Sequence, residues 1–145
     1  MTTEGTGPRL GHVAFHVQDL ERSIRWYGEA FGAREAFRAS REDGTPQLVY
    51  LELAPGHFVE LFPGGRNRAE EPSEPLGYAH TCLVVDDLAA TLAHLATLGI
   101  APAAPARTGR AGQGLAFIAD PDGNRLELME TPPDSPLYRP APGAP

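Results

Sequence analysis

Two stretches of this chain repeat one another in register, and that repeat limits the fold more than any other feature. GHVAFHVQDL (11–20) returns as AHTCLVVDDL (79–88), and FVEL (58–61) returns as RLEL (125–128). His12 and His80 are 68 residues apart, as are Asp19 and Asp87, whereas Glu60 and Glu127 are 67 apart. One net residue is therefore lost between the helix cap and the last strand of the second half, a change that a loop absorbs easily. Each half reads as a strand, a helix and three strands. A half of that size has one sheet face to bury and little core of its own, so the expected fold is α+β, built as paired βαβββ modules.

The local signals agree with this reading. Residues 10–17 and 78–85 alternate like strands, and each segment is followed by an Asp suited to cap a helix. Leu20, Ile24, Tyr27 and Phe31 give the first helical stripe, with Gly32 as its stop. Leu88, Leu92, Leu95 and Leu98 give the second, with Gly99 as its stop. Further strands are expected over 33–39, 47–53, 57–62, 115–119 and 125–130, the last two joined by the turn Asp120-Pro-Asp-Gly-Asn124. That turn lacks the alternating acids of a calcium loop. The organisation reads as a first βαβββ module over 1–64, a linker over 65–77, a second βαβββ module over 78–131 and a Pro-rich C-terminal tail over 132–145.

His12, Glu60, His80 and Glu127 stand inside apolar strand patterns. Alternation puts His12 on a face with Ala14 and His16, opposite Val13, Phe15 and Val17. Glu60 and Glu127 likewise alternate with aliphatic neighbours that point the other way. A carboxylate in such a strand must be exposed, hydrogen-bonded or paired with a cation. Two imidazoles and two carboxylates related by a repeat make a good N2O2 ligand set for a borderline divalent ion, with positions left for water or substrate. The plainer alternative is four unrelated polar groups; their near-equal spacing, 48 residues in one half and 47 in the other, argues against it.

Composition narrows the classes of function. The formal charge is -7, and all 12 basic residues are arginine, with no lysine anywhere. Lysine Schiff-base chemistry and a phosphate-loop lysine are thereby excluded, and nucleic acid and anionic membrane are disfavoured as partners. A single cysteine, Cys82, excludes an intrachain disulfide, and no apolar run is long enough to span a membrane. The expectation is a cytoplasmic protein that acts on a small molecule. Candidate substrate contacts are His16, on the His12 face, and Arg107 and Arg110, in an irregular loop suited to an anionic group. Cys82 reads as a small packed residue, and Trp26 as a packing or interface residue.

The segments GHVAFHVQDLERSIRWYGEAFG, HFVELFPG, YAHTCLVVDDLAATLAHLATLG and LAFIADPDGNRLELME resemble the vicinal oxygen chelate superfamily, also called the glyoxalase/bleomycin-resistance/dioxygenase fold. The resemblance is nearest to glyoxalase I-like members and covers both halves. It implies sheets that curl around a metal-binding cavity, a homodimer, and His12, Glu60, His80 and Glu127 as ligands of a divalent ion (Ni, Zn, Co, Mn or Fe). It also implies lyase or isomerase chemistry, in which vicinal substrate oxygens bind the metal and an enediolate forms while Glu127 or Glu60 moves a proton. Fosfomycin-resistance transferases and extradiol dioxygenases resemble the chain through His12, His80 and Glu127 alone. The acid at Glu60 therefore tilts the reading toward glyoxalase-like chemistry.

Two positions depart from the bacterial glyoxalase I pattern. His16 stands where that group carries Arg, and Gly64 where it carries Asn, both near glutathione. The substrate implied is therefore something other than the methylglyoxal–glutathione adduct. Two alternatives stay open: a drug-binding protein of the bleomycin-resistance type and an Fe(II) extradiol dioxygenase.

Overall fold

The computed structural model describes residues 10–66, 78–110 and 112–133. Most of the expected linker and nearly all of the expected C-terminal tail lie outside the described residues. The chain divides into two compact units, Met1–Arg66 and Asn67–Pro145.

The first unit runs β1 (His12–Val17), α1 (Leu20–Phe31), β2 (Arg34–Ser40), β3 (Pro46–Ala54) and β4 (His57–Pro63). Its four strands form one mixed sheet in the order β1-β4-β3-β2, with β1 parallel to β4 and the other neighbours antiparallel. The second unit runs β5 (Thr81–Val84), α2 (Leu88–Thr97), β6 (Arg107–Thr108), β7 (Gly114–Ala119) and β8 (Arg125–Glu130). Its sheet repeats the pattern as β5-β8-β7-β6, with β5 parallel to β8. Both are α+β units with the βαβββ order that the repeat required.

Each helix starts on its Asp. The Asp19 carboxylate accepts from the Arg22 amide at 3.0 Å, and Asp87 from the Ala90 amide at 2.8 Å, satisfying one otherwise orphaned donor at each end. Gly32 closes α1 at φ 69°, a left-handed conformation that glycine adopts without steric cost. The buried face of α1 is Leu20, Ser23, Tyr27 and Ala30, so the stripe is narrower than the spacing of large apolar residues suggests. Leu98 is exposed because α2 ends at Thr97, one residue short of it.

Alternation sorts each sheet into two faces. In the first unit Phe15, Val17, Val49, Leu51, Val59 and Leu61 are buried, whereas His12, Ala14 and His16 lie on the other face of β1. In the second, Ala116, Ile118, Leu126 and Leu128 form the corresponding buried layer. Fully burying a branched aliphatic side chain contributes about 1.5–3 kcal/mol, so this layer fixes which way every alternate residue points. Among the described residues no helix is long and apolar enough to cross a membrane.

Candidate functional site

Strand register brings the predicted residues together two by two. In the parallel pair of the first unit Ala14 lies opposite Glu60, and His12 is two residues upstream of Ala14 on the same face. In the second unit Cys82 lies opposite Glu127, and His80 is two residues upstream of Cys82. The result is the same contact twice. His12 Nε2 is 3.1 Å from a Glu60 oxygen, and His80 Nε2 is 2.9 Å from a Glu127 oxygen. The carboxylates are sheltered, at 9% and 14% side-chain exposure, while the imidazoles reach further out, at 42% and 34%.

The register also locates the missing residue. Tyr50 pairs with Glu60 across β3–β4, and Phe117 pairs with Glu127 across β7–β8, each ten positions before its Glu. The closing hairpins are therefore equal in span, and the deletion falls earlier, between the helix start and the third strand.

These two aromatic residues were not singled out in the sequence. The His12 ring meets the Tyr50 ring edge-on at 5.3 Å, and His80 meets Phe117 edge-on at 5.4 Å. Each imidazole is thus held in its plane by an aromatic neighbour. The signal that would have found them is their separation of 67, the same as between the two glutamates.

The surroundings then differ. Burial pushes the Tyr50 phenol above its usual pKa, and the nearby Glu60 carboxylate pushes it further. In the second unit burial, with the adjacent Glu127 carboxylate, pushes the Cys82 thiol up to about 11. Cys82 is therefore protonated at neutral pH and unsuited to act as a nucleophile there.

His80 lies just before β5, where residues 78–85 were expected to form one continuous strand. The pairing of β5 with β8 begins at Thr81 and Leu126. Immediately before it, the Tyr78 hydroxyl donates to the Arg125 carbonyl at 3.1 Å, occupying an acceptor beside the start of the ladder. The Arg125 guanidinium in turn sits 4.0 Å above the Phe117 ring.

Of the proposed substrate contacts, His16 is exposed on the His12 face with its ring 5.4 Å from Phe62. Arg107 and Arg110 are exposed, the first in the two-residue strand β6 and the second in the turn after it. Gly64 has φ 81°. Asp120 is committed to its turn: its carboxylate accepts from the amides of Asp122 and Asn124 and from the Asn124 side chain at 2.8–2.9 Å.

The chemistry of the donor sets fits a divalent cation. Imidazole nitrogen and carboxylate oxygen suit borderline ions, and donors about 2.1 Å from one ion and at right angles to each other are about 3.0 Å apart. Both pairs match that separation. Among the described residues there is no group of three or more His, Cys, Asp or Glu able to hold a metal, and the His–Glu contacts stand as two-donor pairs.

The family model described as the Glyoxalase/Bleomycin resistance protein/Dioxygenase superfamily matches residues 9–128. A lactoylglutathione lyase of Pseudomonas aeruginosa is 27% identical over an alignment covering 83% of this chain and 81% of that protein. Biphenyl-2,3-diol 1,2-dioxygenase 3 of Rhodococcus globerulus is 29% identical, covering 90% of this chain and 70% of its own length. The crystal structure of a glyoxalase family protein from Enterococcus faecalis superimposes with a TM-score of 0.73 at 27% identity, covering 84% of this chain and 97% of that one. With the family model spanning most of its length and a solved member sharing its architecture, the chain belongs to the glyoxalase/bleomycin resistance/dioxygenase superfamily.

Proposed function

We propose that the chain is a metal-dependent, glyoxalase-like lyase or isomerase acting, as a homodimer, on a small molecule with adjacent oxygen atoms. The observation that carries this reading is the duplicated His–Glu contact at one register position of both sheets. Two such bites, His12 with Glu60 and His80 with Glu127, would supply four protein ligands to a divalent ion. Ni, Zn, Co, Mn and Fe(II) are the ions this donor set suits. Such an ion supplies Lewis-acid polarisation of the substrate's adjacent oxygens.

The proton transfer belongs to the chain's own carboxylates. Glu127 takes the proton from one substrate carbon and returns it to the neighbouring carbon, while Glu60 stays as a ligand. Glu127 touches His80 and is sheltered from solvent, which supports that role. His16 and Gly64 supply neither a fixed positive charge nor a side-chain amide, which supports a substrate other than a glutathione adduct. Arg107 and Arg110 are the candidate contacts for an anionic substituent.

The test is an anaerobic purification, loading with each ion separately, and incubation in D2O with α-hydroxycarbonyl compounds and thiol adducts of 2-oxoaldehydes. Metal-dependent isomerisation with solvent deuterium in the product is expected, and Glu127→Gln should lower it by about 10²–10⁴-fold. Wild-type turnover by the loaded Glu127→Gln variant would remove Glu127 from the mechanism, and efficient turnover of the methylglyoxal–glutathione adduct would overturn the substrate reading. The similarity to the Rhodococcus dioxygenase supports a second reading, Fe(II) extradiol cleavage using His12, His80 and Glu127. Oxygen uptake with catechols by the iron-loaded chain would establish it. A chain that retains no metal yet binds a drug tightly would instead indicate sequestration.

A further inference from the structure

The two units set different side chains against the same aromatic position. Two residues before each site glutamate stand Phe58 in β4 and Arg125 in β8, 67 apart like the glutamates themselves. Alternation puts each on the face of its glutamate. Phe58 meets the Tyr50 ring edge-on at 6.3 Å, whereas the Arg125 guanidinium lies over the Phe117 ring, 4.0 Å from its centre. A second ring is enough to pack this position in the first unit; the second unit puts a permanent positive charge there instead. We propose that Arg125 is a specificity-determining residue of the site, and that it holds an anionic group of the substrate, a carboxylate or a phosphate.

Phe117 is opposite Glu127 in the register, and the His80 ring meets it edge-on at 5.4 Å. One aromatic ring therefore gathers the guanidinium and the His80–Glu127 pair. Stacking covers a face of the guanidinium and leaves its N–H donors around the rim, the geometry that receives a carboxylate or phosphate through two parallel hydrogen bonds. The backbone beneath is pinned where the Tyr78 hydroxyl donates to the Arg125 carbonyl at 3.1 Å. Among the described residues the ion pairs engage His12, His80 and Arg38, and Arg125, which is exposed, has none. Arg38, by contrast, is committed to Glu21 and Glu35, each at 2.8 Å. Arg107 and Arg110 stand on β6 and in the turn after it, two strands from β8, whereas Arg125 is on the strand of Glu127 itself. In a chain of formal charge -7, an anion approaching Glu127 meets repulsion that a local cation offsets.

This inference rests on the metal-dependent reading above, and the experiment separates the two. The full-length chain, loaded with Co(II), is titrated in a calorimeter with dihydroxyacetone, dihydroxyacetone phosphate and hydroxypyruvate. These probes share a hydroxyketone and carry no anion, a phosphate and a carboxylate respectively, while the visible absorption of Co(II) reports the bound metal. Wild type is compared with Arg125→Phe, which copies the ring pair of the first unit, and with Arg125→Gln, which removes the charge without adding a ring, so a folding defect in one variant leaves the other to decide. One anionic probe should bind wild type about tenfold or more tighter than dihydroxyacetone, and the variants, still showing the Co(II) absorption, should bind all three alike. The tighter anionic probe then identifies the group as phosphate or carboxylate. Equal binding of all three by wild type, binding of none, or a preference that survives both variants because the anion sits on the metal refutes the role of Arg125 while the metal reading stands. If wild type takes up no Co(II), the metal reading fails, and the same titrations of the metal-free chain decide Arg125 by the same comparison.

Discussion

Glu60 and Glu127 occupy the same place in their sheets, but the units around them have diverged. The first unit surrounds its pair with β3 and β4, of nine and seven residues, and a twelve-residue helix. The second manages with strands of six, a two-residue β6 and a ten-residue helix. Ala14 and Tyr50 face Glu60, whereas Cys82 and Phe117 face Glu127. The His–Glu distance is nonetheless preserved to within 0.2 Å, 3.1 against 2.9 Å. A shared backbone register and an edge-on aromatic ring accompany the pair in both units, while the remaining neighbours give its two copies different surroundings.

The largest effect that can break the comparison lies in the buried layer beneath the pairs. Leu61 and Leu128 each follow a site glutamate, are fully buried, and point to the opposite face of the sheet. Replacing either by alanine should cost about 2–5 kcal/mol in chemical denaturation, the range for a truncated core leucine. Similar losses would show that both cores carry equal weight; a loss below about 1 kcal/mol at one position would show that its layer collapses around the gap. A smaller effect should come from Cys82. With its pKa raised, the thiolate is scarce at pH 8, so alkylation by iodoacetamide should run about tenfold or more slower than for an ordinary thiol and keep rising toward pH 11. Glu127→Gln removes the charge that opposes the thiolate, so the inflection should move down. It should stay above the ordinary range, since burial is the larger cause. An inflection at the usual thiol pKa in the wild type would break this account of the second unit.

The smallest effect tests the helix starts. Asp19→Ala should cost about 1 kcal/mol by loss of an N-cap. Asp87→Ala should cost less, because Glu130 accepts from the Leu88 amide at 2.6 Å and continues to hold the start of α2. Its counterpart in the first unit, by the 67-residue register, is Pro63, which has no such group. Equal losses in paired melting curves would show that Glu130 does not compensate.

Much of this architecture is legible in the sequence because duplicated polar residues are conspicuous in apolar strands. The registers of His12 with His80 and of Asp19 with Asp87 locate the strands and helix starts, and the N-caps form where those aspartates stand. Tyr50 and Phe117 were not legible as site residues. An aromatic in a β pattern ordinarily reads as packing, and only the pairing of β3 with β4 and of β7 with β8 puts these two beside the site glutamates. The exposure of Leu98 was hidden for a different reason. Helical periodicity extends through it, but the backbone turns away after Thr97, and Gly99 adopts φ 75°.

Gly64 has a consequence for redesign. It follows β4 with φ 81°, and the Gly65 amide next to it donates to the Val17 carbonyl at 2.9 Å, tying the bend to the end of β1. Asparagine is among the few other residues that enter that conformation readily. Gly65 is less forgiving, since an added Cβ would lie 3.0 Å from the His16 carbonyl carbon. The bend is therefore already shaped to carry the amide that bacterial glyoxalase I places there, and His16 stands on the strand it is tied to. Side chains can therefore be exchanged at positions 16 and 64 on an unaltered backbone.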